Sequence, residues 1–182
     1  SKGQRMLEVR STGELRSDGK KLHGYAAIFN SETDLGGFVE VIRNGAFRKS
    51  LESASNIRAL YHHQGDALLG TTRSKTLKLR EDPHGLAFEL DLPATTHGKD
   101  LAILVERGDV AGCSFGFRVR DGGDRWEQRG AQLVRELLDV ELSEVTLTAD
   151  PAYADTSVAL RTRKAIINND TRCLWLETCL WA

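Results

Sequence analysis

The pentapeptide Gly112-Cys113-Ser114-Phe115-Gly116 leads directly into Phe117-Arg118-Val119-Arg120, and no histidine follows His97 in the chain. A G-x-S-x-G run is the signature of a serine on a sharp strand-to-helix elbow, in a fold whose triad follows the order serine, acid, histidine. Neither condition is met here. The residues after Ser114 alternate apolar or small with bulky or polar, the period-two pattern of a strand. Every histidine lies upstream of Ser114. The α/β-hydrolase fold is therefore excluded, and Ser114 belongs at or near the start of a strand whose glycines let another backbone or a substrate approach closely. Two readings stay open from the pentapeptide alone: a nucleophile served by an upstream base, or a serine in a glycine-flanked strand with no chemistry.

The rest of the chain argues for many turns. Seventeen glycines stand against three prolines, and 40% hydrophobic with 28% charged residues is ordinary for a globular domain. At 182 residues one domain with a tail is expected. With 25 basic against 26 acidic residues the net charge is −1, so neither nucleic acid nor a membrane surface is an expected partner. No apolar run approaches the roughly 18–20 residues that span a bilayer, and no basic-then-apolar leader is read at the start. Cys113, Cys173 and Cys179 are odd in number and lack C-x-x-C spacing, which argues against a disulfide framework or a zinc site and for a reducing compartment. His62, His63, His84 and His97 are not completed by cysteines or repeated carboxylates, so no metal and no cofactor are expected.

His23–Phe29, Gly37–Ile42 and Ile57–Tyr61 read as short strands, the last delivering His62 and His63 at its end. Asn44 is a candidate cap for a short helix to Leu51, with Phe47 and Leu51 on one face. Leu77–Arg80 and Leu86–Leu92 flank the turn Asp82-Pro83-His84-Gly85 as a hairpin. Thr95-Thr96 cap a helix to about Arg107 with Leu101, Leu104 and Val105 as its stripe, and Gly108 ends it. A strand from Ser114 to Arg120 and a Gly122-Gly123-Asp124 turn come next. Gln132–Thr148 is one bent strand or two, carrying Glu136, Asp139, Glu141 and Glu144, and Val158–Leu160 is a final strand. The fold expected is β-rich α+β: a small closed or nearly closed barrel surrounded by a few short helices, spanning residues 1–160. Residues 161–182, with a basic start and a Trp-Leu-rich end, read as a C-terminal extension.

A serine needs an adjacent base, itself oriented by a third group. His62 and His63, at the end of an apolar strand, are the best placed bases; His84 in a hairpin turn and His97 in a first helical turn suit solvated roles. Among carboxylates, Glu141 and Glu144 lie in a strand-like run, and Glu144 stands in a largely uncharged stretch where burial demands a partner. Cys113 offers a competing nucleophile, but successive strand residues point to opposite faces, so only one of Cys113 and Ser114 can meet the base.

Taken in order, these blocks resemble the prohead maturation protease family of tailed bacteriophages. The matching segments are Gly24-Tyr25-Ala26-Ala27-Ile28-Phe29-Asn30 with Gly37 to Phe47, Leu60-Tyr61-His62-His63 with Leu69-Gly70, Cys113 to Phe117, and Glu144-Val145-Thr146-Leu147 with Pro151-Ala152. Together they cover about residues 22 to 160. Gln64 stands where the family often has aspartate, and Thr146 and Tyr153 where serine and asparagine are common. The resemblance implies a β-barrel ringed by helices, similar to the herpesvirus assemblin proteases. It also implies a serine endopeptidase that cleaves scaffold or capsid-protein segments, and itself, inside the procapsid in the bacterial host cytoplasm. By that resemblance Ser114 is the nucleophile, His63 the base and Glu144 the third member, with His62 and Glu141 as the alternatives of register. The implied partners are the major capsid protein and its scaffolding segment; self-association is left open. The extension at 161–182 would be removed by self-cleavage. The competing class is a catalytically silent capsid-assembly or scaffold-binding module on the same fold.

Overall fold

The computed structural model describes residues 7–12, 14–18, 20–53 and 55–149. The expected strand at Val158–Leu160 and the extension at 161–182 lie outside them. In chain order the first half runs β1 (Glu8–Thr12), β2 (Glu14–Ser17), β3 (Lys21–Ile28), β4 (Glu32–Asp34), β5 (Val39–Ile42), α1 (Arg48–Glu52), β6 (Arg58–Tyr61) and β7 (Gln64–Thr71). The second half runs β8 (Leu77–Glu81), β9 (Gly85–Asp91), α2 (Thr96–Glu106), β10 (Gly112–Val119), β11 (Asp124–Arg129), β12 (Gln132–Leu137) and β13 (Val140–Thr148).

The β-rich α+β class holds. The ladders among the described residues divide into three sheets, ordered β1-β10-β13-β6-β7, β11-β12-β5-β4 and β2-β3-β9-β8, and not into one closed ring. The first and third sheets are linked by the chain at both edges. β1 and β2 are consecutive at one edge, and β7 passes to β8 at the other through a turn in which the Lys75 N–H donates to Thr72 O at 3.1 Å.

The local signals mostly act as expected. Thr95 caps α2, its hydroxyl accepting from Gly98 N, and Gly108 takes φ +80 just beyond the helix. Asn44 does not cap α1. The position before the helix is Phe47, no side chain caps it, and the Asn44 side-chain oxygen Oδ1 instead accepts from Asn30 Nδ2 at 2.6 Å. The chain turns twice between Arg43 and Arg48 before the helix starts, and those turns bury Phe47 completely.

Alternation along β10 builds the main core. Cys113, Phe115 and Phe117 are all fully buried within it. Phe115 and Phe117 stack at 5.2 Å, and Phe47 meets Phe115 edge-on at 5.5 Å. Ser114 and Gly116 therefore point to the opposite face of the first sheet.

The second sheet docks on β1 through buried charge. Arg10 bonds Glu40 at 2.5 Å and Glu8 at 2.8 Å, while Arg135 bonds Glu8 at 2.7 Å and Asp124 at 2.8 Å. Arg10 and Arg135 also lie 5.3 Å over the Phe117 and Trp126 rings. Burial pushes the Glu8 carboxyl up, but the Arg135 and Arg10 guanidiniums outweigh it and hold Glu8 below its ordinary value of 4.5. A carboxyl depressed on folding stabilises above its unfolded value and loses that contribution as pH falls through the folded one. Urea titrations are thus expected to show stability falling below about pH 4.5. Arg135→Ala, which leaves the buried Glu8 and Glu40 carboxylates to share the single guanidinium of Arg10, should cost about 3–5 kcal/mol near neutrality. Its deficit should shrink in acid, where Glu8 is protonated with or without a partner.

Candidate active site

Three side chains, two from strands of the first sheet and one from the hairpin loop after a third strand, converge on its outer face. Ser114 lies in β10, opposite Thr146 of β13 and Ser11 of β1. Glu144 lies two residues before Thr146 and opposite Gly116. His63 follows β6. Ser114 Oγ is 2.8 Å from His63 Nε2, and His63 Nδ1 is 2.9 Å from Glu144 Oε1. A carboxylate can only accept, so Nδ1 carries the ring proton in this pair and Nε2 presents its lone pair to the Ser114 hydroxyl.

The sequence places each group by a distinct device. For Glu144 it is a bulge: Gly116 faces Glu144 while Phe117 faces Leu142, so Ser143 is the extra residue on β13. Without it Glu144 would share the inward face of Leu142. With it, Leu142 and Val145 both stay in the core while Glu144 turns outward and remains buried. Gly116 makes room. A Cβ at that position would stand 2.9 Å from Glu144 Cγ, so the second glycine of the pentapeptide is the seat of the carboxylate's side chain.

For His63 the device is a turn. Tyr61 pairs with Gln64, leaving His62 and His63 as a two-residue hairpin loop between β6 and β7, with φ +50 and +57. Both residues in the left-handed region make this a type I′ turn, the geometry usually given to Asn-Gly.

Two further groups hold Glu144. Arg58 Nη2 is 3.4 Å from Oε2, and the Thr146 hydroxyl donates to Oε1 at 3.5 Å. Glu144 is 8% exposed at its side chain and His63 37%, so the imidazole forms the solvent side of a largely buried relay.

The remaining candidates are elsewhere. The His62 ring packs at a tilt against Tyr61, with centroids 4.2 Å apart, and points Nδ1 at Thr148. Glu141 faces Arg118 along the ladder. The Cys113 thiol is buried in the core, donating to Tyr25 O at 3.1 Å, on the other side of the sheet from His63. His84 packs edge-on against Tyr25, His23 pairs with Asp18, and His97 is exposed in the first turn of α2. A groove of about 440 Å³ on the outer face of the third sheet, between Arg16, His23, Lys78 and Arg80, contains none of the three converging side chains. Sequence reasoning missed the parts played by Arg58 and Gly116. Arg58 could have been found from strand alternation, being two residues before Leu60 in the row beside Glu144.

A carboxylate that reaches a hydroxyl through one imidazole is the arrangement by which serine hydrolases activate their nucleophile, carried here on a β-rich scaffold. The chain belongs to the caudovirus prohead serine protease family, whose model matches residues 5–170. It is also similar in fold to the capsid assembly protease gp21 of bacteriophage T4. That match has a TM-score of 0.56 at 8% identity, covering 80% of this chain and 99% of the T4 chain. No curated protein matches the sequence.

Proposed function

We propose that the protein is a serine endopeptidase that cleaves scaffold or capsid-protein segments during procapsid maturation, with Ser114 as nucleophile, His63 as base and Glu144 as the orienting acid. The observation that carries this reading is the unbroken relay from Ser114 Oγ to His63 Nε2 at 2.8 Å and from His63 Nδ1 to Glu144 Oε1 at 2.9 Å. Ser114 Oγ attacks the scissile carbonyl carbon as its proton passes to His63 Nε2. The imidazolium, stabilised by Glu144, then returns that proton to the leaving amine as the C–N bond breaks. Water hydrolyses the resulting ester with His63 again as base, restoring the Ser114 hydroxyl.

Family membership supports the capsid protein and its scaffolding segment as substrates within the procapsid. The same chemistry acting in cis would remove an extension at about 161–182. The first and third sheets, linked at both edges by consecutive strands, support reading them as the walls of a nearly closed barrel. Co-expression with the cognate major capsid protein tests the reading. Intact-mass spectrometry should show capsid-protein fragments and a shortened protease with the wild type, and neither with Ser114→Ala. Full-length capsid protein bound to an uncleaving wild type would instead establish a silent assembly module.

A further inference from the structure

The tip of the β6–β7 hairpin joins two adjacent non-glycine residues in the left-handed region, His62 at φ +50 and His63 at +57. The other described non-glycine residues with positive φ, Asn30 and Lys75, occur singly. A Cβ in this region crowds its own backbone, and such strain persists only where the surroundings over-determine it.

His62 is where those surroundings act. The β6–β13 ladder ends at Tyr61 opposite Leu147, and the bond that closes this parallel pair runs from the His62 N–H to Leu147 O at 3.1 Å, so the ladder itself holds the first residue of the turn. The tip is thereby pinned to β13 while the chain has already begun to reverse. The next residue is turned back over the outer face, where its ring meets Ser114 and Glu144. Had His62 taken an extended conformation, the chain would continue along β13 past Leu147 and carry the following side chain away from Glu144, which lies opposite Arg58.

We propose that His62 is a positioning residue for the reaction, acting through its left-handed backbone and the bond to Leu147, not through its imidazole. This inference rests on the proposed peptidase function but can be read separately from it. Any residue that tolerates positive φ should serve at 62, and a β-branched one should not.

The experiment compares His62→Gly, His62→Asn, His62→Ala and His62→Val in the full chain. One readout is the downfield NMR resonance of the His63 Nδ1 proton bonded to Glu144, which needs no substrate. The other is kcat and KM on a peptide spanning a capsid cleavage site. The Gly and Asn variants should keep the resonance and stay within about threefold of wild-type kcat. Val should lose the resonance and lower kcat by about 10²-fold, the cost of an ångström-scale misplacement, at nearly constant KM. Ala, with a Cβ but no branch, should fall between and stands in if Val does not fold. Retention of resonance and kcat in both Val and Ala overturns the proposal, as does their loss in both Gly and Asn, which would make the ring itself the working part. A wild type without peptidase activity would remove the proposed function while the resonance still decides this point.

Discussion

Ser114→Ala and His63→Ala are each expected to lower kcat on a cleavable peptide by about 10⁴–10⁶-fold, and the double variant to fall no further than either single one. The reason is that the two groups do one job. Ser114 Oγ is a weak nucleophile until its proton can leave, and the group 2.8 Å away that can take it is His63 Nε2. Removing either destroys the same step, so the second removal has nothing left to cost. Cys113→Ala is the matched control. Its thiol is buried on the core side of β10, so kcat should be unchanged, although filling the lost volume by relaxation costs some stability. Additive losses in the double variant, or a loss of activity with Cys113→Ala, would sink the assignment. Circular dichroism of each variant would show that the sheets remain.

Alternation is the legible part of this chain. The run from Cys113 to Phe117 puts the aromatic residues inside and Ser114 outside, and β10 does so in the fold. The order of residues excludes a downstream histidine and directs attention to the pair His62-His63 and to Glu141 and Glu144, among which the family resemblance points to His63 and Glu144. Breaks in alternation are the part that stays hidden. The bulge at Ser143 lets a glutamate two residues from Leu142 face the other way, and nothing in Glu141-Leu142-Ser143-Glu144 announces it. The I′ turn carries two histidines where Asn-Gly would have signalled a hairpin, so β7, opening on the exposed Gln64-Gly65-Asp66, is not legible as a strand. β1 and β11 escape for a different reason. Their charged residues, Glu8, Arg10 and Asp124, look solvated in sequence and are joined to Glu40 and Arg135 in a buried network between sheets. A pairing between residues so far apart in the chain leaves no local trace.

Glu144→Gln should lower kcat by about 10⁴-fold with the fold intact, because it gives the imidazole the wrong tautomer. The groups around the carboxylate set the direction. Arg58 donates toward Oε2 and can accept from nothing, so a glutamine at this position turns its carbonyl oxygen to Arg58 and its amide nitrogen to His63. An N–H facing Nδ1 forces the ring proton onto Nε2, which then cannot accept from Ser114. Gly116→Ala reaches the same carboxylate from beneath. Its new Cβ would stand 2.9 Å from Glu144 Cγ, a part of the side chain held on both sides by the strand and by its bonds to His63 and Arg58. The carboxylate must move, and a displacement of this scale should lower kcat by about 10²-fold. If Gly116 acts only through Glu144, adding Gly116→Ala to Glu144→Gln should cost almost nothing more, a coupling that a double-mutant cycle measures directly. Full additivity of the two losses would mean that the glycine serves the substrate's backbone instead of the acid.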